Sequence, residues 1–396
     1  VQRYTDGMNR TTREGLTGVR VIRAFNAEDY QNAKADTANE ELTNNNLYAQ
    51  RLLAFTRPFN GVVQNMLTVA IYVLGAEIII AAASPDDALE TFSNMVVFSS
   101  YIMYVVSSFI LLAHVAMGLP RAIVSAHRIS EVINTDIRVI GGSLTESDDS
   151  DVCISFKDVS FAYPDSPGDT LTGITFDVRR GETVAIIGQT GCGKTSLVNL
   201  IPRLFDATAG TVTVDGRDVK DYDLDYLRSK IGYATQKPIL FTGTARFNIG
   251  YGSDDADDER MMDAAKVACM DTFLNSKEGL DTDIQQRGAN LSGGQKQRLS
   301  IARAVCKNPE IYIFDDTFSA LDFKTDAQIR RNLKERTKDS TAIIVSQRIG
   351  TIFDADRIIV LADGQIVGNG KHDDLMKSCE IYREMAKIQE FGEAVR

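Results

Sequence analysis

Residues 181–196 read GETVAIIGQTGCGKTS. An apolar, β-branched run, TVAII, enters a glycine-rich turn, and the turn opens onto the helix-like SLVNLIPRLF. Gly188, Gly191, Gly193, Lys194 and Thr195 have the G-x-x-x-x-G-K-[ST] spacing of a phosphate-binding loop, in the strand–turn–helix context that it requires. Glycines let the backbone wrap close to phosphates. The amides of Gln189, Thr190, Cys192 and their neighbours, with the helix N-terminus, then supply partial positive charge. Lys194 is placed to reach the β- and γ-phosphates and Thr195, followed by Ser196, to ligate Mg²⁺. This stretch predicts an α/β domain that binds a nucleoside triphosphate.

A second stretch, IYIFDDTFSALD at 311–322, predicts a buried strand ending in two carboxylates. Asp315 is the candidate second Mg²⁺ group. Asp316 is the candidate for water activation, although a base at such a position is more often glutamate, one methylene longer. Other short apolar runs, TVTVDG, TAIIVSQ and RIIVLADG, alternate with helical stretches as an α/β domain requires.

The chain of 396 residues suggests two or three domains. Its net charge of −11 argues against a nucleic-acid partner, which would be bound through clustered Lys and Arg. The basic run Arg330, Arg331, Lys334, Arg336, Lys338 and the acidic DDADDE at 254–259 read as solvated surface. No two of the five cysteines share a C-x-x-C spacing, so neither a disulfide framework nor a zinc site is predicted. No signal peptide is visible at the start.

The first third of the chain differs in character. No Lys or Arg lies between Pro58 and Pro120. Residues 59–83 are apolar, and as a helix they cover roughly 37 Å, enough for a bilayer core of about 30 Å. After the acidic turn SPDDALE, a second apolar stretch fills about 89–119. Arg51 and Arg57 precede the pair, and Arg121 and Arg128 follow it. The positive-inside rule therefore places both outer flanks in the cytoplasm. Gln64, Asn65 and Glu77 are costly in lipid and are expected to face other helices or a water-filled cavity. Upstream, TREGLTGVRVIRAF places Leu16, Val19, Ile22 and Phe25 on one amphipathic face. Residues 139–151, VIGGSLTESDDSD, read as a linker between a membrane part, 1–138, and a nucleotide-binding domain, 152–396.

LSGGQKQR at 291–298 resembles the ABC signature motif. YP at 163–164 resembles the A-loop, ATQKPILF the Q-loop with Gln236, SALD the D-loop with Asp322, and REGLTGVRVIRAFNAE the second intracellular loop of ABC exporters with its coupling helix at about 16–25. The resemblance spans nearly the whole chain. It implies an α-helical transmembrane segment joined to a P-loop NTPase domain with a RecA-like core, an antiparallel β subdomain and a helical subdomain at about 237–306. It also implies transmembrane helices one to four upstream of Val1, a multi-pass protein of the cytoplasmic membrane, and a small amphipathic or drug-like substrate. Tyr163 would stack on adenine, and Gln236 would bind the metal. Ser292, Gly293, Gly294 and Gln295 would close over the γ-phosphate held by a second half-transporter.

Three positions depart from the family pattern. Asp316 stands where the catalytic glutamate belongs, Gln347 where the switch histidine belongs, and Gln286 where many exporters carry glutamate. The shorter side chain retracts the carboxylate by about 1.5 Å. A misplacement of about 1 Å can cost on the order of a hundredfold in rate. A glutamine amide still hydrogen bonds but does not titrate. The losses at Asp316 and Gln347 fall on the site that uses this chain's own P-loop, while its signature motif is intact. The pattern resembles the degenerate-site subunit of a heterodimeric multidrug-type exporter. A homodimer with slow ATPase and a regulatory subunit without transport are the alternatives. A soluble ABC ATPase is opposed by the apolar hairpin.

Overall fold

The structure, a computed structural model, describes residues 2–82, 84–148, 150–164, 166–253 and 255–394. The side chains of Arg57 and Arg121, two of the flanking charges, and Asp254 of the acidic run lie outside the described residues. The chain divides into two compact units, one ending at Asp136 and the other starting at Ile137.

The first unit is helical: α1 (Gln2–Thr17), α2 (Val19–Ala24), α3 (Glu28–Ile80) and α4 (Pro85–Ile133). The apolar runs lie inside α3 and α4, but both helices extend well beyond them on the polar side. At 53 residues, α3 is about 80 Å long. It stops at Ile80, short of the expected 83. The reason is local. Ser84 caps α4 by accepting from the Asp87 amide, and Pro85 occupies the first turn. Proline also biases the residue before it away from helix. Gln64 turns to Met103 across the hairpin, whereas Asn65 and Glu77 are exposed.

The amphipathic stretch 16–25 is not one helix. Gly18, at φ −90° and ψ 5°, separates α1 from α2. Glycine gains least from helix formation of any residue but proline, so the bend falls there. Leu16, Val19 and Phe25 remain exposed after the bend.

The strands of the second unit are β1 (Val152–Phe161), β2 (Leu171–Arg179), β3 (Thr183–Gly188), β4 (Ala209–Val214), β5 (Arg217–Asp218), β6 (Ile231–Ala234), β7 (Gly243–Thr244), β8 (Asp283–Ile284), β9 (Ile311–Asp315), β10 (Thr341–Ser346), β11 (Arg357–Ala362) and β12 (Gln365–Gly370). The main sheet runs β12-β11-β3-β10-β9-β6, parallel except for the β12 edge. Every residue of β9, and all of β3 but Thr183, is buried, as a parallel strand covered on both faces requires. A separate antiparallel sheet, β2-β1-β4-β5, packs over the P-loop side, and β2 alternates buried and exposed positions along most of its length. Residues 237–306 contribute four helices, Ala245–Ile249, Asp258–Val267, Asp271–Asn275 and Gly293–Cys306, to a second core with Tyr312 and Phe314.

The segment read as a linker is docked in part. Gly142 donates to the Tyr222 carbonyl at 2.8 Å, and Leu144 pairs with Tyr222 in an isolated parallel bridge. Ser147 reaches Lys230 and Asp148 pairs with Arg217. Nearby, fully buried Asp215 is held by Arg180 at 2.6 Å and Lys230 at 2.8 Å, and Lys230 also pairs with Glu310 at 3.0 Å.

Candidate functional site

Parallel pairing places the C-terminal ends of β3, β10, β9 and β6 at one edge of the sheet, where α/β folds bind ligands. The P-loop follows β3, Asp315 closes β9, Gln347 follows β10, and Gln236 follows β6. Topology therefore collects residues that the sequence scatters over more than 150 positions.

The loop wraps tightly before the short helix α5 (Lys194–Asn199). Gly193 has φ +99°, and a Cβ there would lie 2.7 Å from a Leu171 methyl. At Gly188 a Cβ would meet the Leu361 carbonyl oxygen at 2.2 Å. Lys194 is buried and folds into its own loop, donating to the carbonyls of Gly188 at 2.8 Å and Gln189 at 2.7 Å. Cys192 is buried, with Sγ 3.7 Å from Lys194 Nζ. Tyr163 packs edge-on against Phe161 and Phe205, and its hydroxyl lies 3.0 Å from Ser196 Oγ beside the loop.

Thr195 Oγ1 donates to the Asp315 carboxylate at 2.9 Å. This pair supplies the hard oxygen donors that Mg²⁺ prefers. Burial pushes the Asp315 carboxyl up, with the Thr195 bond opposing it. Asp316 sits in the left-handed region, φ +46°, fixed by its amide's bond to the Val345 carbonyl at 2.9 Å. Its carboxylate accepts from Gln236 Nε2 at 3.2 Å and from Gln347 Nε2 at 3.4 Å. Burial raises this carboxyl too, against the Gln236 bond and the nearby Lys194 charge. Gln236 is thus engaged with Asp316 and not with the Thr195–Asp315 pair. Gln347 Oε1 accepts from Thr190 at 3.3 Å, so its amide bridges Asp316 to the P-loop.

The signature residues lie apart from this cluster, on the surface. Ser292 caps the helix Gly293–Cys306, and Gln295 completes a capping box, its Oε1 accepting from the Ser292 amide at 2.8 Å. Gly293 is exposed and Gly294 half-buried. Asp322 caps the helix Phe323–Arg336, and the Thr325 amide holds its carboxyl below the usual range. Gln286 begins a short turn before the signature.

Several contacts carry no spacing signal in the sequence. Gln297, on the signature helix, donates to the Gln236 carbonyl at 3.3 Å. Arg348 donates to the Ser319 carbonyl at 2.8 Å, tying the switch loop to the SALD turn. Gln389 brackets the switch loop from the last helix, Glu380–Ala394.

A glycine-rich loop on a central parallel strand, a strand-end aspartate beside the loop threonine, and an antiparallel sheet over both define a P-loop nucleotide-binding domain. Family models agree: "ABC transporter" matches residues 171–319 and "ABC transporter transmembrane region" matches 1–109. An uncharacterized ABC transporter ATP-binding protein of Mycobacterium tuberculosis is 38% identical over all of this chain and 68% of its own length. The ATP-dependent lipid A-core flippase of Syntrophus aciditrophicus is 34% identical over 95% of this chain and 62% of its own length. The solved structure of a bacterial Atm1-family ABC exporter with ATP bound superposes with a TM-score of 0.79 at 27% identity, over 98% of this chain and 69% of that one. The chain belongs to the ABC transporter family, as a half-transporter of the exporter type with transmembrane and ATP-binding regions.

Proposed function

We propose that this chain is one half of a heterodimeric ATP-driven exporter, and that its own site holds Mg-ATP but rarely cleaves it. Thr195 and Asp315 would hold the metal, with Lys194 and the loop amides on the phosphates and Tyr163 on the adenine. Ser292, Gly293 and Gly294 would complete the hydrolytic site of the partner half-transporter. The flexion of residues 16–25 at Gly18 would carry domain closure to the membrane helices.

The observation that supports this reading best is the setting of Asp316. Its carboxylate is one methylene short of glutamate and is held between two carboxamides, Gln236 and Gln347. Carboxamides cannot relay a proton. The test is the ATPase activity of the protein assembled with its partner. Asp316→Asn should leave turnover near the wild-type value. Ser292→Asp keeps the helix cap, because aspartate caps as well as serine, but sets a carboxylate against the γ-phosphate. It should lower turnover by about a hundredfold, as loss of an oxyanion donor does. The opposite order would overturn the assignment.

A further inference from the structure

We propose that Gln389 is a positioning residue for the switch loop, and that through it the last helix sets how this site tells ATP from ADP. The inference rests on the reading that this chain's P-loop binds nucleotide.

Gln389 spends both ends of its carboxamide on one short piece of backbone. Its Oε1 accepts from the Ile349 amide at 2.7 Å, and its Nε2 donates to the Gln347 carbonyl at 2.6 Å. The bracketed residue Gln347 is the one whose side chain joins Asp316 to Thr190. Few contacts intervene, so a shift of Gln389 is felt at the edge of the P-loop.

The helix that carries Gln389 is itself anchored. Tyr382 and Ala386 are buried in a core with Ile349, Ile352, Leu375 and Cys379, and the Tyr382 hydroxyl lies 2.8 Å from His372 Nδ1. Gln389 follows Ala386 by three residues and so lies on the same helical face. Ile388, beside it, is 72% exposed. The carboxamide is therefore a polar contact at the outer edge of an apolar one.

Gln347 touches both Thr190 of the P-loop and Asp316, next to the Thr195–Asp315 pair, which sets it on the side where the terminal phosphate of a bound nucleotide would lie. A preset switch loop loses less freedom when a γ-phosphate arrives, and preorganisation of this kind strengthens binding. ADP has no γ-phosphate and gains nothing from it. Gln389 should therefore act on ATP affinity alone.

The test uses fluorescent ATP and ADP analogues, in Mg²⁺, on the full-length protein, with Lys194→Ala as the blank for this P-loop. Gln389→Ala should weaken ATP binding about fivefold, the value of roughly one net hydrogen bond, and leave ADP binding unchanged. Unchanged ADP binding also shows that the variant is folded. Gln389→Glu keeps the acceptor for Ile349 but sets a carboxylate against the Gln347 carbonyl, and it should show the same selective loss. Equal shifts for both nucleotides, or none, would overturn the inference. Failure of the wild-type protein to bind either nucleotide above the blank would instead overturn the ATP-site reading beneath it.

Discussion

At the scale of single residues, one carboxyl and two thiols make the sharpest predictions. Burial raises Asp316 above the ordinary carboxylate range. A group of this kind favours the folded state while protonated, and loses that contribution as pH rises through its folded value. Asp316→Asn cannot ionise. In nucleotide-free, metal-free protein it should melt at a higher temperature than wild type near neutral pH. The gap should close as pH falls below about 4, the usual carboxylate value. Melting curves across that range check both the sign and the window. Cys192 is buried inside the P-loop, whereas Cys269 is half-buried. Maleimide should label Cys269 first, and loss of nucleotide binding should follow the slower Cys192 modification. Mass spectrometry alongside a binding assay would separate the two. Asp315, Asp316 and the P-loop were legible in the sequence because short apolar runs and fixed spacings encode them locally. Gln389 was not legible, since its bonds join residues 40 and 42 positions apart through a packed helix.

At the scale of elements, the buried charges joining the two sheets carry the clearest consequence. Asp215 is fully buried between Arg180 and Lys230, at the turn after β4, and Lys230 and Glu310 stand just before β6 and β9. Removing Lys230 leaves buried Asp215 with the Arg180 guanidinium alone and takes the cation away from Glu310. Lys230→Met should therefore destabilise the nucleotide-binding unit by less than the roughly 3 kcal/mol of a fully broken buried pair, and Lys230→Met with Arg180→Met by more, both read by urea unfolding. Ser292→Ala should cost about 1 kcal/mol by opening the capping box, so loss of activity in that variant mixes folding with chemistry. The helical elements show where sequence reading stops. Apolar runs mark the lipid-length portions of α3 and α4 but not their polar extensions, which continue to Glu28 and Ile133 by ordinary helix-forming residues. The bend at Gly18 was written in the sequence by that glycine, inside a pattern whose spacing suggested one continuous face.

At the scale of the whole molecule, all the buried hydrophobic clusters among the described residues belong to the ATP-binding unit, whereas the long helices of the membrane part leave their apolar side chains exposed. Family membership follows from motifs spread over the chain, and the proposed division of labour between two unequal ATP sites rests on Asp316 and Gln347 among those motifs. The segment between the units reads as a linker because glycine, serine and aspartate dominate it. The lone Leu144 was the signal against that reading, since it is the residue that bridges to Tyr222. Thr135 still bonds back to α4, so docking from Gly142 leaves only residues 136–141 between the last bonded residue of the helix end and the first fixed amide. An extended chain reaches at most about 3.5 Å per residue. The leash is therefore at most about 25 Å long, fewer than half the ångströms that an undocked 134–151 would allow.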